Sequence, residues 1–339
     1  MDMDGRRTPM LSTVGIRLMT DITPLRRIDR GLGGAIRWKI NNWLTRHPVL
    51  LHWFGLRLTV FDVFGAPGDT LITGIVCRHL HEKFPRIRIN CLTPNPELLR
   101  FDPNIDTLNE PESFLCLWHW YLDLLERKDR QTNLLGPTLA HLGISSCEYR
   151  CQVFLSDEER AAARKRLCKA TKPIITFNAA SKEPVKNWPV TYWIVLLGRL
   201  RDRFTLVQLG DSTEPEIDGV CRFAGMLSMR ESMAVLSFAQ LHIGPDSFLM
   251  HAANGVNVPS VVIFGGSRTP DRSGYRENIN IFVEMPCGPC WIHVERGERC
   301  EYDVECMKRI SVDAVYDDVL RLSARRSRDG SQFSWEPPA

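Results

Sequence analysis

Short apolar runs alternate with amphipathic stretches along most of the chain. Compact runs rich in β-branched and aromatic residues predict buried strands, and apolar residues recurring every three or four positions predict helices. The predicted strands are Leu58–Phe64, Ile87–Leu92, Ile174–Asn178, Thr205–Leu209, Leu241–Gly244 and Ser260–Phe264. The predicted helices are Thr70–Lys83, Asn133–Leu142, a helix opened by Ser156, Val190–Arg201, a helix from Ser228 to about Ala239, and one starting at Phe248–Asn254. This alternation predicts an α/β fold with parallel sheets and helices on both faces.

The strand-helix pattern starts twice, at Leu58 and again after Lys169–Pro173. A chain of 339 residues is long enough for two domains of ordinary size. We therefore predict two Rossmann-like domains, residues 58–170 and 171–325, with their functional loops at the carboxyl ends of the strands. Residues 1–57 form a leader, and the polar residues 326–339 are expected to be a flexible tail.

The leader carries the chain's excess of positive charge. Residues 1–57 hold ten Arg and Lys against four Asp, whereas the whole chain has a net charge of only +3. An amphipathic helix is predicted from Ile28 to Leu44, because Ile28, Leu32, Ile36, Ile40 and Leu44 recur every fourth residue. Its apolar stripe either docks on the first domain, the commoner arrangement, or lies on an anionic membrane surface.

Composition narrows the class and the compartment. With the leader set aside, the body is weakly acidic, which argues against nucleic acid as a partner. Neither a secretory signal nor an apolar run of about 18 residues is visible. The expected location is therefore the cytoplasm, with the leader as a candidate for peripheral contact with the inner membrane.

Gly68 and Asp69 follow the first predicted strand and precede a helix. Glycine allows close approach of a ligand, and a carboxylate at a helix start is stabilised by the free backbone N–H groups there. Asp69 is thus a candidate catalytic base, or simply a helix cap. A dinucleotide fingerprint is not present, since its third glycine is missing.

Three loops of the second half carry residues suited to a phosphate group. Asp246 and Ser247 stand before a helix whose first N–H groups could bind an anion, and His251 follows one turn later. Candidate counter-charges, on the loops after two other strands, are Lys182, Lys186 and Arg268. Each loop also has an ordinary interpretation: a capped helix with a packed histidine, a solvated charged loop, and a common βα turn.

Four of the eleven cysteines are clustered near the C-terminal end. Cys287 and Cys290 have metal-ligand spacing and are followed by Cys300 and Cys306, which predicts a structural zinc or iron site. The second pair is looser than in a standard zinc ribbon, and the alternatives are disulfides, which a cytoplasmic location disfavours, or packed free thiols. The other seven cysteines are predicted to be mostly buried, reduced thiols.

The order of these elements resembles the heptosyltransferase family, glycosyltransferase family 9, over about Leu58 to Leu322. The matching residues are Gly68-Asp69, Lys186-x-Trp188-Pro189, Gly210 with Glu214, Asp246-Ser247 through Met250-His251-Ala252-Ala253, Phe264-Gly265 and Cys287-x-x-Cys290 through Cys306-Met307. The resemblance implies a GT-B fold, an ADP-activated heptose or related sugar as donor, and inverting transfer without a catalytic metal. It places Asp69 as general base, Lys186 beside the diphosphate and Glu214 beside the nucleoside. It also places Asp246, Ser247 and His251 at the donor-binding helix start.

Two departures bear on the substrates. Phe248 stands where the family usually has glycine, which reshapes the sugar-phosphate pocket. The cysteines resemble those of a branch of the family that glycosylates proteins and carries iron. The acceptor is therefore a glycan, a lipid-linked molecule or a protein. Alternatives to a transferase are a nucleotide-sugar epimerase or hydrolase, and a non-catalytic binder of nucleotide sugars.

Overall fold

The computed structural model describes residues 32–119, 121, 124, 130–290, 292 and 298–328. In this part of the chain the strands form two parallel sheets, with four and six strands. The strands are β1 Arg57–Asp62, β2 Arg88–Leu92, β3 Thr107–Leu108, β4 Leu115–His119, β5 Ile174–Phe177, β6 Thr205–Gln208, β7 Cys221–Arg222, β8 Leu241–Pro245, β9 Ser260–Phe264 and β10 Ile279–Phe282. The predicted α/β class is therefore confirmed.

Helices connect and cover the strands. They are α1 Leu32–Thr45, α2 Pro48–Phe54, α3 Pro67–Lys83, α4 Gly136–His141, α5 Asp157–Arg166, α6 Val190–Leu200, α7 Met229–Leu236, α8 Phe248–Gly255, α9 Pro270–Ser273, α10 Glu305–Lys308 and α11 Val312–Arg328. Short 3-10 turns occupy Pro96–Leu99 and Pro184–Lys186. Among the described residues, no helix has the length and apolar character needed to cross a bilayer.

The strand orders are β3-β2-β1-β4 in the first sheet and β10-β9-β8-β5-β6-β7 in the second. The first strand of each unit, β1 or β5, is an internal strand of its sheet. The order in which the following strands are added reverses beside it. In open parallel sheets, ligands bind outside the carboxyl ends of strands at such a point. The turns after β1, β5, β8 and β9 are therefore the positions to search for a site.

Two helix starts follow the predicted capping pattern. The Ser156 hydroxyl accepts a hydrogen bond from the N–H of Glu159, and the Glu159 carboxylate accepts one from the N–H of Ser156. Ser228 and Glu231 form the same reciprocal pair at the start of α7. Each pair satisfies backbone donors that a helix start leaves open, so the local sequence fixes where α5 and α7 begin.

The two sheets share packed apolar residues. One buried cluster contains Leu58 of β1 and Ile75 of α3 together with Met250 of α8 and Phe264 of β9. Helix α8 packs directly on α3. This packing brings the turn after β1 close to the turn after β8. The boundary near residue 170 stays a prediction.

Two expectations about the ends of the chain need correction. The leader helix does contact the first sheet, but Ile36 and Ile40 of its apolar stripe are exposed while Asn41 and Thr45 are buried. Ile28 lies outside the described residues. At the other end, α11 continues to Arg328, so residues 326–328 of the expected flexible tail are helical because the apolar face of α11 packs on the second sheet.

Candidate active site

Asp62 holds together the turn that follows β1. Its carboxylate accepts hydrogen bonds from the N–H of Gly65 at 3.0 Å, from Thr70 Oγ1 at 2.5 Å and from Thr93 Oγ1 at 2.8 Å. Burial raises the pKa of Asp62 to about 6, against the lowering effect of these hydrogen bonds. No local pattern marked Asp62, because its role depends on partners from three elements. The network fixes the backbone that presents Gly68 and Asp69.

Asp69 lies buried in the first turn of α3, and Ala66, which occupies the N-cap, has no capping side chain. Its Oδ1 accepts a hydrogen bond of 2.6 Å from the hydroxyl of Tyr121. Burial raises the pKa of Asp69, and Arg268, the Tyr121 hydrogen bond and Lys186 oppose that rise. A carboxylate with a raised pKa is a better proton acceptor near neutral pH than an ordinary aspartate.

The opposite wall is formed by Asp246, Lys186 and Arg268 from three loops of the second sheet. Asp246 Oδ2 lies 3.5 Å from Lys186 Nζ and 3.9 Å from Arg268 Nε, and Ser273 Oγ donates to Asp246 Oδ1 at 3.2 Å. Lys186 Nζ also lies 2.9 Å from Glu183 Oε2. Burial favours the neutral acid, but Lys186 and Arg268 hold the pKa of Asp246 below its usual value.

Arg268 is the charge shared by the two walls. Burial acts to lower its pKa, but Asp246, Tyr121 and Asp69 together raise that pKa above its ordinary value. The guanidinium therefore stays fully charged in the interior. Two cations, Lys186 and Arg268, face a region into which both halves of the chain contribute carboxylates. This arrangement can hold a phosphate group and stabilise negative charge that develops on it.

His251 and Gly68 bring the two halves into contact. A Cβ built on Gly68 would lie 2.8 Å from Cδ2 and 3.3 Å from Nε2 of His251. The other ring nitrogen, Nδ1, lies 2.7 Å from the hydroxyl of Tyr275. Burial lowers the pKa of His251 to about 4, although Asp246 opposes this. The imidazole is therefore neutral at pH 7 and closes the junction as a packed ring.

Glu214 is buried at the carboxyl end of β5. Its Oε2 accepts a hydrogen bond of 2.7 Å from the N–H of Ala179, and Oε1 accepts one of 3.2 Å from the N–H of Ala180. Burial raises its pKa to about 7, and these hydrogen bonds act against the rise. In this structure the Glu214 carboxylate supports the backbone of the β5 loop.

The remaining predicted residues lie at different depths. Lys182 is exposed, and its positive charge contributes to the lowered pKa of Asp211, after the hydrogen bonds from Thr213. Ser247 occupies the N-cap of α8 without a capping hydrogen bond, and its Oγ accepts a hydrogen bond of 3.4 Å from Asn178. Phe248 is half-buried and packs on the core. Lys182 thus lies apart from the Lys186–Arg268 pair.

The four clustered cysteines line a single pocket of about 300 Å³ together with Val185 and Gly266. Backbone N–H groups point at two of the sulfur atoms, from Gly266 to Cys306 at 3.2 Å and from Val304 to Cys300 at 3.4 Å. Within the described residues, however, no three His, Cys, Asp or Glu side chains form a group that could hold a metal ion. Residues 293–297, between the two pairs, lie outside the described part.

The other seven cysteines fit the expectation of buried thiols only in part. All eleven are free among the described residues. Cys77, Cys91, Cys116 and Cys151 are buried, as predicted, whereas Cys168 and Cys221 are exposed. The apolar neighbours of these two residues in the sequence are therefore a poor guide to their burial, because both lie at the ends of elements facing solvent.

Two Rossmann-like units that share a polar crevice are the GT-B arrangement, and the comparisons with known proteins agree. The sequence-family model of glycosyltransferase family 9 (heptosyltransferase) matches residues 129–299, half of the chain. The chain belongs to this family. It is 27% identical over 128 residues to lipopolysaccharide heptosyltransferase 1 of Pseudomonas aeruginosa. That match spans 35% of this chain and 36% of the relative, so only about a third of the relative's length is covered.

Solved structures share the fold. The family 9 glycosyltransferase of Veillonella parvula aligns with a TM-score of 0.61 and 17% identity, over 79% of this chain and 97% of that one. The iron-containing dodecameric glycosyltransferase TibC of enterotoxigenic E. coli aligns with a TM-score of 0.62 and 18% identity, over 79% of this chain and 76% of that one. TibC has also been solved in complex with ADP-D-β-D-heptose. At these identities the likeness concerns the fold.

Proposed function

We propose that this protein is an inverting glycosyltransferase that moves a heptose or related sugar from an ADP-activated donor to a hydroxyl group. The observation that carries the proposal is the convergence of buried Asp69 from the first half with buried Lys186 and half-buried Arg268 from the second. Family membership and the ADP-heptose complex of TibC support the donor. The acceptor is a glycan, a lipid-linked molecule or a protein.

We infer the reaction from the side chains on the two walls of the crevice. Asp69 takes the proton of the acceptor hydroxyl as the hydroxyl oxygen forms a bond to the anomeric carbon. The bond between that carbon and the phosphate oxygen breaks from the opposite side, so the configuration inverts. The negative charge that develops on the departing diphosphate is stabilised by Lys186, Arg268 and the first backbone N–H groups of α8. These cations supply the role that a divalent ion has in other enzymes.

The test is a turnover assay with ADP-heptose in the presence of EDTA. We expect Asp69→Asn to lower kcat by roughly a hundredfold to ten-thousandfold, because general-base catalysis is lost. ADP binding by calorimetry should change little, since Asp69 lies on the acceptor side. The matched control is Asp102→Asn, another buried aspartate of the first unit, outside the site. It should keep turnover near the wild-type level.

Each other outcome points to a different function. Near-normal turnover in Asp69→Asn would remove this carboxylate from the mechanism. Release of free sugar without any acceptor would indicate a hydrolase, and a changed sugar still attached to ADP would indicate an epimerase. Tight binding of the donor with no turnover on any acceptor would indicate a non-catalytic binding protein.

We also propose that Cys287, Cys290, Cys300 and Cys306 hold a structural zinc or iron ion. Among the described residues their side chains do not form a metal-binding group, so binding would have to draw the sulfur atoms closer together. All four line one pocket, thiolates are the ligands that these metals prefer, and backbone N–H groups aimed at sulfur stabilise thiolate charge. The iron of TibC supports iron as one of the two metals. Bound metal would tie Cys287 and Cys290 to Cys300 and Cys306 within the segment after β10, and the Gly266 N–H already links this segment to the turn after β9.

Elemental analysis of the purified protein tests the metal proposal. About one equivalent of zinc or iron is expected in the wild type, falling to a trace in Cys287→Ser/Cys290→Ser. The matched control replaces the two exposed cysteines, Cys168→Ser/Cys221→Ser, and should keep the metal. A wild-type protein without metal, purified anaerobically, would show that the four thiols are packed and free.

A further inference from the structure

Helix α1 exposes an apolar stripe. Ile36, Ile40 and Trp43 are spaced by four and three residues, so they lie on one face of the helix. They are 53%, 43% and 54% exposed. A surface helix normally turns this face to the core, and stable monomers keep large apolar patches off their surface. We therefore expect another molecule to cover this apolar stripe.

The opposite, polar face of α1 holds the helix on the first sheet. Asn41 Nδ2 donates to the carbonyl of Cys116 at 2.9 Å, and Asn41 Oδ1 accepts from the N–H of Cys116 at 2.7 Å. The amide thus takes the place of a neighbouring strand at the edge of β4. Thr45 Oγ1 also lies 2.7 Å from His141 Nε2. These buried polar contacts fix the rotation of α1, so its apolar face stays outward.

Helix α2 extends the exposed apolar surface. Pro48 and Leu51 are buried and anchor the helix, whereas Val49, Trp53 and Phe54 point outward. Trp53 and Phe54 are 71% and 73% exposed. Two consecutive helices therefore present aromatic side chains to solvent, although both are fixed to the domain by other residues.

The charged residues of the two helices themselves are all basic, and one of them, Arg37, lies 3.8 Å from Glu112. No Asp or Glu occurs between residues 32 and 61, whereas this segment contains Arg37, Lys39, Arg46 and Arg57. Lys39 and Arg46 are exposed and lie on the same side of α1 as Trp43. Arg86 is also exposed, and its N–H donates to His52 of α2 at 3.2 Å. Positive charge therefore borders the aromatic residues.

We infer that the α1–α2 surface, made by Ile36, Ile40, Trp43, Trp53 and Phe54 with Lys39 and Arg46 beside them, binds the surface of an anionic lipid bilayer. Tryptophan residues favour the depth of the lipid headgroups, and cations beside them are attracted to anionic lipids. A membrane matches both the apolar face and the positive charge of Lys39 and Arg46 beside it. The binding does not depend on the proposed function, but it favours a lipid-linked acceptor for it.

Co-sedimentation of the full chain with vesicles tests the inference. The probes are vesicles of phosphatidylglycerol and phosphatidylethanolamine, compared with vesicles of phosphatidylcholine alone. We expect binding to the anionic vesicles to be lowered at least about tenfold by Trp43→Ser/Trp53→Ser. The variant Lys39→Gln/Arg46→Gln should lose about fivefold for each charge removed, and high salt should mimic that loss.

The matched control is Ile194→Ser/Val195→Ser, which removes two apolar side chains of α6 that are each 52% exposed. It should bind anionic vesicles like the wild type, and all variants should keep the wild-type melting temperature. The inference is overturned if the wild type does not sediment with anionic vesicles, or if the Trp variant sediments as well as the control. It is also overturned if the wild type forms a dimer without lipid binding and the Trp variant is a monomer. Donor turnover is measured separately, so failure here leaves the transferase proposal intact.

Discussion

Individual side chains in the crevice depend on one another for their charge. Asp69 and Asp246 are both buried, and the positive charges of Arg268 and Lys186 lower the pKa of each carboxyl against the effect of burial. Burying an unpaired charge costs several kcal/mol, so any single replacement shifts the protonation of the others. Tyr121 is the neutral member of this set, because its hydroxyl donates directly to Asp69.

Replacing Tyr121 with Phe removes that hydrogen bond and keeps the ring. The bond lowers the pKa of Asp69, so its loss raises the pKa of a group that must be deprotonated to act as a base. We expect the acidic limb of the pH profile of kcat/KM to move to higher pH in Tyr121→Phe. At pH 7 the activity should fall about tenfold, and it should recover as the pH rises.

A merely structural role for Tyr121 would lower activity equally at every pH. The comparison variant is Tyr316→Phe, because Tyr316 is a tyrosine of α11 that packs in the second unit with Arg199 over its ring. Its pH profile should match that of the wild type. An unshifted acidic limb in Tyr121→Phe would show that the hydrogen bond does not tune Asp69.

Helices and strands with local signals were predictable from the sequence. The reciprocal serine-glutamate pairs at Ser156 and Ser228 mark real helix starts, and the buried run Ser260–Phe264 is β9 as predicted. Strand β4 was missed, since Leu115–His119 follows a stretch whose prolines, Pro94, Pro96, Pro103 and Pro111, indicate loops. Tyr121 and Tyr275 were missed too, because only tertiary packing brings them to Asp69 and His251.

Helix α1 shows why an element's pattern does not fix its orientation. The apolar period correctly predicted a helix, but the free edge of β4 offers unpaired backbone groups that an apolar stripe cannot satisfy. Asn41 supplies both a donor and an acceptor for Cys116, and an unsatisfied buried polar group costs about 1–3 kcal/mol. The polar face of α1 therefore packs on the edge of β4. The sequence pattern of α1 alone could not show this, because the edge is formed by a distant part of the chain.

At the scale of the whole molecule, the two units are joined at several separate places. Arg230 of α7 donates to both carboxylate oxygens of Glu159 and to the carbonyl of Glu97, which lies in the first unit. Arg272 of α9 donates to the carbonyl of Leu124 at 2.8 Å. These contacts lie outside the crevice and set the spacing between its walls. Gly68 and His251 then meet inside it.

Gly68→Ala tests whether that spacing matters for catalysis. The added methyl group would come within 2.8 Å of a His251 ring that is held by Tyr275, so the ring cannot simply turn aside. The walls must separate by a few tenths of an ångström or more. We expect kcat/KM to fall by roughly a hundredfold, because small misplacements of reacting groups cost that much. The free energy of unfolding should fall by only about 1–3 kcal/mol.

Gly198→Ala is the matched control, since Gly198 lies within helix α6 and a Cβ there has no atom within 4 Å. That variant should gain about 0.5–1 kcal/mol of stability, as expected for glycine replaced within a helix, and keep full activity. The two alanine variants thus separate the effect of replacing glycine within a helix from the effect of the contact between residue 68 and His251. If Gly68→Ala keeps wild-type kcat/KM, the crevice tolerates a wider gap, and catalysis does not require Asp69 to be held against the second unit. If the variant loses activity but recovers it when His251 is replaced by Ala, the distance between the walls is the quantity that limits turnover.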